Sequence, residues 1–144
     1  MRIRHILARK GRQVSTVDAE ASVADALDIL IGQAVGSAVV LSGSRVVGII
    51  TEREVLRVVH RDPEGLARTP VTDAMLAEPV LAHPELGLDR VMNLMTENRV
   101  RHLPVMDGAQ LVGLVSIGDV VNELRSEVEA ENRFLKDYVQ GVVR

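Results

Sequence analysis

The chain has 144 residues, with 17 lysines and arginines against 20 aspartates and glutamates, for a net charge of −3. That mild acidity speaks against a protein that binds nucleic acid by neutralising phosphates, and Phe134 and Tyr138, its only aromatic residues, are too few to stack on single strands. The lack of cysteine removes disulfides, thiolate metal sites and cysteine nucleophiles together, while 47% hydrophobic residues suffice for one compact domain or two small halves sharing a core.

Met1 to Arg12 holds five basic side chains and no long apolar run, so it reads as an N-terminal helix rather than a secretion signal. Nothing later approaches a membrane-spanning length, so the expectation is a cytoplasmic protein without a membrane partner. Val14 to Val17 reads as extended. Val23, Ala26, Leu27, Leu30 and Ile31 then follow the i, i+3, i+4, i+7, i+8 pattern of one helix face. Two β-branched runs, Ser37 to Leu41 and Val46 to Ile50, flank the turn Ser42-Gly43-Ser44 and predict a hairpin. A second helix begins near Glu52. Asp62-Pro63-Glu64-Gly65 marks the stretch from Arg61 to Pro70 as a loop, and a short helical piece is predicted over Val71 to Leu76.

The same order of elements then returns. Val80 to Ala82 reads as extended, and Leu88, Val91, Met92 and Met95 line a helix face. His102 to Met106 and Leu111 to Val115 flank the turn Asp107-Gly108-Ala109, and a final helix begins near Ile117. Val47-Gly48-Ile49-Ile50-Thr51 and Val112-Gly113-Leu114-Val115-Ser116 are the same phrase at an offset of 65 residues. Gly43 with Gly108, Val40 with Val105, Val35 with Val100 and Val55 with Val120 keep that offset. The fold class is therefore α/β (α+β), built from two repeats of strand, helix, strand, strand, helix. One unit is too small to bury its sheet and helices alone, so the two are expected to pack about a pseudo-twofold axis. The expected boundaries are a first repeat with its N-terminal helix over 1–60, a linker over 61–76, and a second repeat with a long C-terminal helix over 77–144.

In that last helix Val121, Leu124, Val128, Leu135 and Val142 recur at three and four spacing, with Glu131 and Tyr138 completing the series. Two readings fit: a short coiled coil, or a long helix packed on its own domain. Either way the helix exceeds what the repeat needs and is the first candidate for dimer contacts.

Ser116 ends a strand and Asp119 begins a helix, which puts a hydroxyl and a carboxylate on one rim. A carboxylate accepts two hydrogen bonds, as the two hydroxyls of a ribose require. Arg101 and His102 open the preceding strand and suit a phosphate. Ser-x-x-Asp and Thr51-x-x-Glu54 are equally ordinary helix N-terminal patterns, and taken alone they favour capping. There is no Gly-x-Ser-x-Gly elbow, P-loop or Rossmann fingerprint. His5, His60, His83 and His102 lack metal-ligand spacing. Neither a catalytic centre nor a metal site is expected.

Gly48-Ile49-Ile50-Thr51-Glu52-Arg53-Glu54, its twin Gly113-Leu114-Val115-Ser116-Ile117-Gly118-Asp119, and His102-Leu103-Pro104-Val105 resemble the cystathionine-β-synthase-type (CBS) domain family. Val71-Thr72-Asp73-Ala74-Met75, ahead of the second repeat, adds to the likeness, which covers nearly the whole chain as a stand-alone pair. The resemblance implies a flattened module with two equivalent clefts, commonly dimeric, that binds AMP, ATP, NAD or S-adenosylmethionine. It implies a main site in which Arg101, His102, Ser116 and Asp119 handle phosphate and ribose while Ser15 and Val35 frame the adenine. A second, weaker site would use Thr51 and Glu54, with Val80 and Val100 as its apolar wall. There Glu54 stands where the family often has aspartate, and Gly36 and Ser37 match Arg101 and His102, so Arg53 or Arg57 is left to supply the cation. The expected function is a regulatory module for an adenine nucleotide, with AMP and NAD(H) ahead of ATP, ADP and S-adenosylmethionine. A homodimer and an unidentified protein partner go with it. The alternative is a structural or interaction module whose clefts stay empty.

Overall fold

The 65-residue offset of the sequence reappears as a repeat of backbone pairing in the computed structural model, which describes residues 1–141. After helix α1 (Ile3–Lys10), strand β1 (Thr16–Asp18) runs parallel to β2 (Ser37–Ser42), and β2 turns back into antiparallel β3 (Arg45–Thr51). In the second half β5 (His102–Asp107) and β6 (Gln110–Ser116) form the same hairpin. Val40 pairs with Gly48 and Val105 with Gly113, and each hairpin shifts register directly after that pair. Val17 pairs with Val40, and 65 residues on Ala82 bridges Val105 in the same parallel sense. The extended piece expected at Val80 to Ala82 is thus reduced to one bridge.

The helices follow local chemistry. Helix α2 (Val23–Gly32) starts at Ser22, whose hydroxyl accepts from the Asp25 N–H at 3.1 Å while Asp25 accepts from the Ser22 N–H at 3.1 Å. It buries Val23, Ala26 and Leu30, whereas Ile31, on the flank of the predicted face, is exposed. Helix α3 (Glu52–Arg61) follows β3 without a break. Helix α4 (Val71–Ala74) is shorter than the sequence predicts. Leu76 belongs instead to β4 (Leu76–Ala77), which pairs antiparallel with β3. An apolar residue after a helix reads as its last turn, but here the outer edge of β3 has backbone groups to satisfy, and β4 satisfies them. Gly48 permits this approach: a Cβ there would lie 2.9 Å from the Leu76 carbonyl oxygen.

Helix α5 (Leu88–Asn98) ends at Arg99 with φ 54°, as α2 is followed by Ala34 with φ 54°. Two cores result, and each repeat is completed by a helix that precedes the other. Ile3, Ile6 and Leu7 of α1 pack with Leu88, Val91, Leu103 and Val115 of the second repeat, while Val71 of α4 packs with Val23, Val40 and Ile50 of the first. Backbone bonds from the Ile3 N–H to the Leu86 carbonyl (3.0 Å) and from the Arg4 N–H to the Pro84 carbonyl (2.8 Å) fix α1 there. The exchange ties the two halves together.

Helix α6 (Ile117–Val139) buries Val120 and Glu123, with Leu124 packed partly against the same core. Val121, Val128, Leu135 and Tyr138 are exposed; Val142, the last member of that series, lies outside the described residues. No helix among the described residues is long and apolar enough to cross a membrane.

Candidate functional site

The two strand-to-helix junctions are both closed capping boxes. At the start of α3 the Thr51 hydroxyl oxygen accepts from the Arg53 N–H at 3.3 Å. Glu54 Oε2 accepts from the Thr51 N–H at 2.9 Å and from the Thr51 hydroxyl. Glu54 is only 4% exposed, and its Oε1 meets Arg57 no closer than 3.9 Å. At the start of α6 the Ser116 hydroxyl oxygen accepts from the Asp119 N–H at 3.1 Å, and Asp119 Oδ2 accepts from the Ser116 N–H at 2.9 Å.

The junctions differ in one cation. Lys10, the last residue of α1, donates to Asp119 Oδ2 at 2.6 Å and to the Leu114 carbonyl at 2.8 Å. Partial burial pushes the Asp119 carboxyl up, but the Lys10 hydrogen bond, the Ser116 N–H and the lysine charge together outweigh it and hold the group below its usual value. Position 75, the counterpart of Lys10 at the 65-residue offset, is methionine, so Glu54 has no such partner.

A cavity of about 310 Å3 lies between the repeats. Thr51, Arg53, Glu54 and Arg57 line it from the first repeat, and Arg99, Val100, Arg101 and His102 line it from the second. An adjoining space of about 370 Å3 shares Val100, Arg101 and His102 and adds Val80 and Ile49. Both volumes lie in the range of small-molecule sites, about 300–1,000 Å3. Thr51, Arg53, Glu54, Val80 and Val100, singled out by sequence as one group, therefore border one continuous region.

Arg101 and His102, grouped by sequence with Ser116 and Asp119, stand on the border of both junctions. His102 is opposite Ser116 in the β5–β6 register, and the Arg101 carbonyl accepts from the Ile117 N–H at 2.9 Å, yet both residues line the cavity with Glu54. His102 is half-buried. Burial lowers its pKa first, Lys10 and Arg101 lower it further, and Asp119 and Glu54 oppose them. Ser15 and Val35, grouped by sequence with Ser116 and Asp119, line neither of these spaces. Ser15 donates its hydroxyl to the Gln33 side chain, and Val35 lines an apolar groove between α2 and α3 with Leu30 and Val55.

Lys10 and Arg99 are the site residues that sequence reasoning misses. The signal for Lys10 was present as a lysine where the other repeat has Met75. For Arg99 there was none, because its counterpart is Ala34 and its place depends on the left-handed residue that ends α5.

A family model described as the CBS domain matches residues 4–61 and again residues 71–126. The chain belongs to the CBS-domain family. Among curated relatives, a CBS domain-containing mitochondrial protein of Arabidopsis thaliana, CBSX3, is 38% identical over 83% of this chain, which spans 61% of that protein's length. Among solved structures, a CBS-domain containing protein from Agrobacterium tumefaciens is 34% identical, with a TM-score of 0.79 over 85% of this chain and 98% of its own. A CBS domain protein from Pyrobaculum aerophilum, solved in complex with AMP, shares the fold at 23% identity, with a TM-score of 0.74 over 88% of this chain and 99% of its own. Each repeat of the pair supplies one wall of the cleft between them.

Proposed function

We propose that this CBS pair is a regulatory module that binds an adenine nucleotide, with AMP and NAD(H) ahead of ADP, ATP and S-adenosylmethionine, and that it has no catalysis of its own. One observation carries the reading. The inter-repeat cavity joins a buried carboxylate, a pair of aliphatic walls and a guanidinium beside an imidazole. Glu54 Oε2 is committed to Thr51, which leaves Oε1 for a ribose hydroxyl. Val80 and Val100 offer apolar faces to a purine, and Arg101 with His102 offers donors to a phosphate. The AMP complex of the Pyrobaculum relative supports the choice of ligand class. Regulation follows if the nucleotide binds one arrangement of the pair, or of a homodimer, more tightly than another, and a partner protein reads the change.

Mass spectrometry of small molecules released from gently purified protein, followed by calorimetric titration with AMP and NADH, tests this. Release of an adenine nucleotide and loss of binding in Glu54→Ala supports it; clean protein that binds neither ligand refutes it.

A second reading, a structural or interaction module with empty clefts, is favoured by one fact. Both capping boxes are satisfied internally, and Lys10 already occupies Asp119. Thermal or urea unfolding separates the two, because a ligand at 100 times its Kd adds about 2.7 kcal/mol to stability, and an unoccupied fold gains nothing.

A further inference from the structure

Five of the 17 lysines and arginines of this acidic chain border one region. Arg53, Arg57 and Arg61 recur at four-residue spacing along one face of α3, and Arg99 and Arg101 line the inter-repeat cavity with the first two. A groove of about 470 Å3 continues along α3, shares Arg53, Glu54 and Arg57 with that cavity, and ends at His60 and Arg61. Among the described residues Arg53, Arg61, Arg99 and Arg101 have no carboxylate partner, and Arg57 reaches Glu54 only at 3.9 Å. Arg2 and Arg68, by contrast, are paired closely, with Glu85 at 2.7 Å and with Asp62 at 2.9 Å. The two spaces together set five guanidiniums against the carboxylates of Glu54 and Asp73. That is a surplus of three positive charges on a chain whose net charge is −3.

The surplus belongs to this cleft and not to the repeat. At the 65-residue offset the counterparts of Arg53, Arg57, Arg99 and Arg101 are Gly118, Asn122, Ala34 and Gly36, all uncharged. The left-handed backbone of Arg99 is common to both repeats, since Ala34 shares it; the guanidinium is not. A single phosphate monoester carries about −1.5 to −2 charges at neutral pH and leaves part of this surplus unmet. The arginine row is also long: eight residues of α-helix span about 12 Å.

We infer that the cleft beside Glu54 selects nucleotides carrying two or more phosphates, a nucleoside di- or triphosphate or a pyrophosphate-linked dinucleotide, with the phosphate chain laid along the arginine row of α3. The inference rests on the reading that the cleft binds an adenine nucleotide, and within that class it moves AMP behind the nucleotides with two or more phosphates: Arg101 and His102 serve the first phosphate, and Arg53, Arg57 and Arg61 serve the next.

The test is calorimetric titration of the full chain with adenosine, AMP, ADP, ATP and NADH, and with tripolyphosphate as a probe that lacks the base. One further charge-assisted hydrogen bond is worth about tenfold in affinity. At least one of ADP, ATP and NADH is therefore expected to bind about tenfold or more tightly than AMP, with an advantage that shrinks as salt is raised. In the double variant Arg57→Ala, Arg61→Ala, with folding verified by circular dichroism, that ratio is expected to fall towards one. AMP binding as tightly as every polyphosphate overturns this inference and leaves the nucleotide reading standing. Tripolyphosphate binding that no nucleotide displaces overturns the nucleotide reading and this inference with it, as does the absence of binding by every probe.

Discussion

Lys10 Nζ lies 2.6 Å from Asp119 Oδ2, across 109 residues of sequence, so a lysine from the N-terminal helix sits on the carboxylate that a ribose in the second junction would need. Its repeat counterpart is Met75, and Glu54 carries no equivalent load. The two junctions are therefore unequal before any ligand arrives. A ribose at Asp119 has to displace an ammonium ion, whereas one at Glu54 Oε1 does not.

Lys10→Met makes the second junction resemble the first. Both partners of the pair are partly exposed, so the stability lost at neutral pH is expected to be modest, about 0.5–1 kcal/mol. The sign of the pH effect follows from the depressed Asp119 pKa. Its contribution is present above the unfolded value near 3.8 and is lost as pH falls through the lower folded value. Without Lys10 only the Ser116 hydrogen bonds oppose the burial of the carboxyl, and that loss moves to higher pH. Nucleotide stoichiometry is expected to rise from one to two sites per chain, read by calorimetry. An unchanged stoichiometry together with an unchanged Asp119 titration by NMR refutes the masking.

His102 gives a second pH dependence of opposite origin. Its pKa is depressed from 6.5 by burial first and by Lys10 next, so the unfolded chain binds this proton more readily than the folded one. Stability then falls as pH drops below about 6.5, and it rises again with pH. His102→Gln is expected to flatten the slope of urea-unfolding free energy between about pH 5.5 and about pH 7. A bound phosphate reverses the effect by favouring the imidazolium, so nucleotide binding is expected to take up a proton, visible as a buffer-dependent calorimetric enthalpy. A slope that survives in His102→Gln assigns it elsewhere.

How far the sequence discloses this arrangement depends on the reach of each signal. The hairpins were legible because alternation and turn chemistry are local, and the repeat was legible because Val17 with Val40 and Ala82 with Val105 obey one offset. The capping boxes were legible as capping boxes. The exchange of α1 and α4 between repeats was not, because the packing of Leu7 over Gly113 leaves no mark on either neighbourhood except a glycine whose Cβ would stand 2.5 Å from the leucine Cδ2. Leu76 misled because an apolar residue after a helix looks the same whether it continues the turn or pairs with a strand edge. Thr51, Arg53, Glu54, Val80 and Val100, one group in the sequence reading, border one region of the structure, but its second-repeat arginines come from a loop that only the fold brings near.

Helix α1 is held by a second ion pair that the repeat makes conspicuous. Glu123 is 3% exposed and meets Arg9 at 3.2 Å; its counterpart in the first repeat is Val58, which is buried. Removing the partner of a buried charge costs about 3–5 kcal/mol, and replacing both by apolar groups costs little. Arg9 is largely exposed, so Arg9→Ala is expected near the lower end or below it, about 1–3 kcal/mol. In a Glu123→Val background Arg9→Ala is expected to cost almost nothing. Urea unfolding of the four proteins in the cycle measures this, and additive costs would show that the pair does not couple.

The outer part of α6 carries the last prediction. Past Leu124 the helix leaves its own core, yet Val128 and Leu135 are each about half exposed and Tyr138 is 71% exposed on the same three-and-four spacing. A lone surface helix with such a seam loses side-chain entropy for no burial, whereas a second α6 laid against it would cover the seam. The chain is expected to sediment as a dimer in the micromolar range. Val128→Glu with Leu135→Glu is expected to return it to monomer mass while leaving the thermal midpoint of each monomer core nearly unchanged, because neither side chain packs within its own domain. Wild-type protein that sediments as a monomer refutes the seam, and a dimer untouched by the two substitutions moves the interface elsewhere, with the apolar groove between α2 and α3, where Ile31 and Leu56 are exposed, next to be tested.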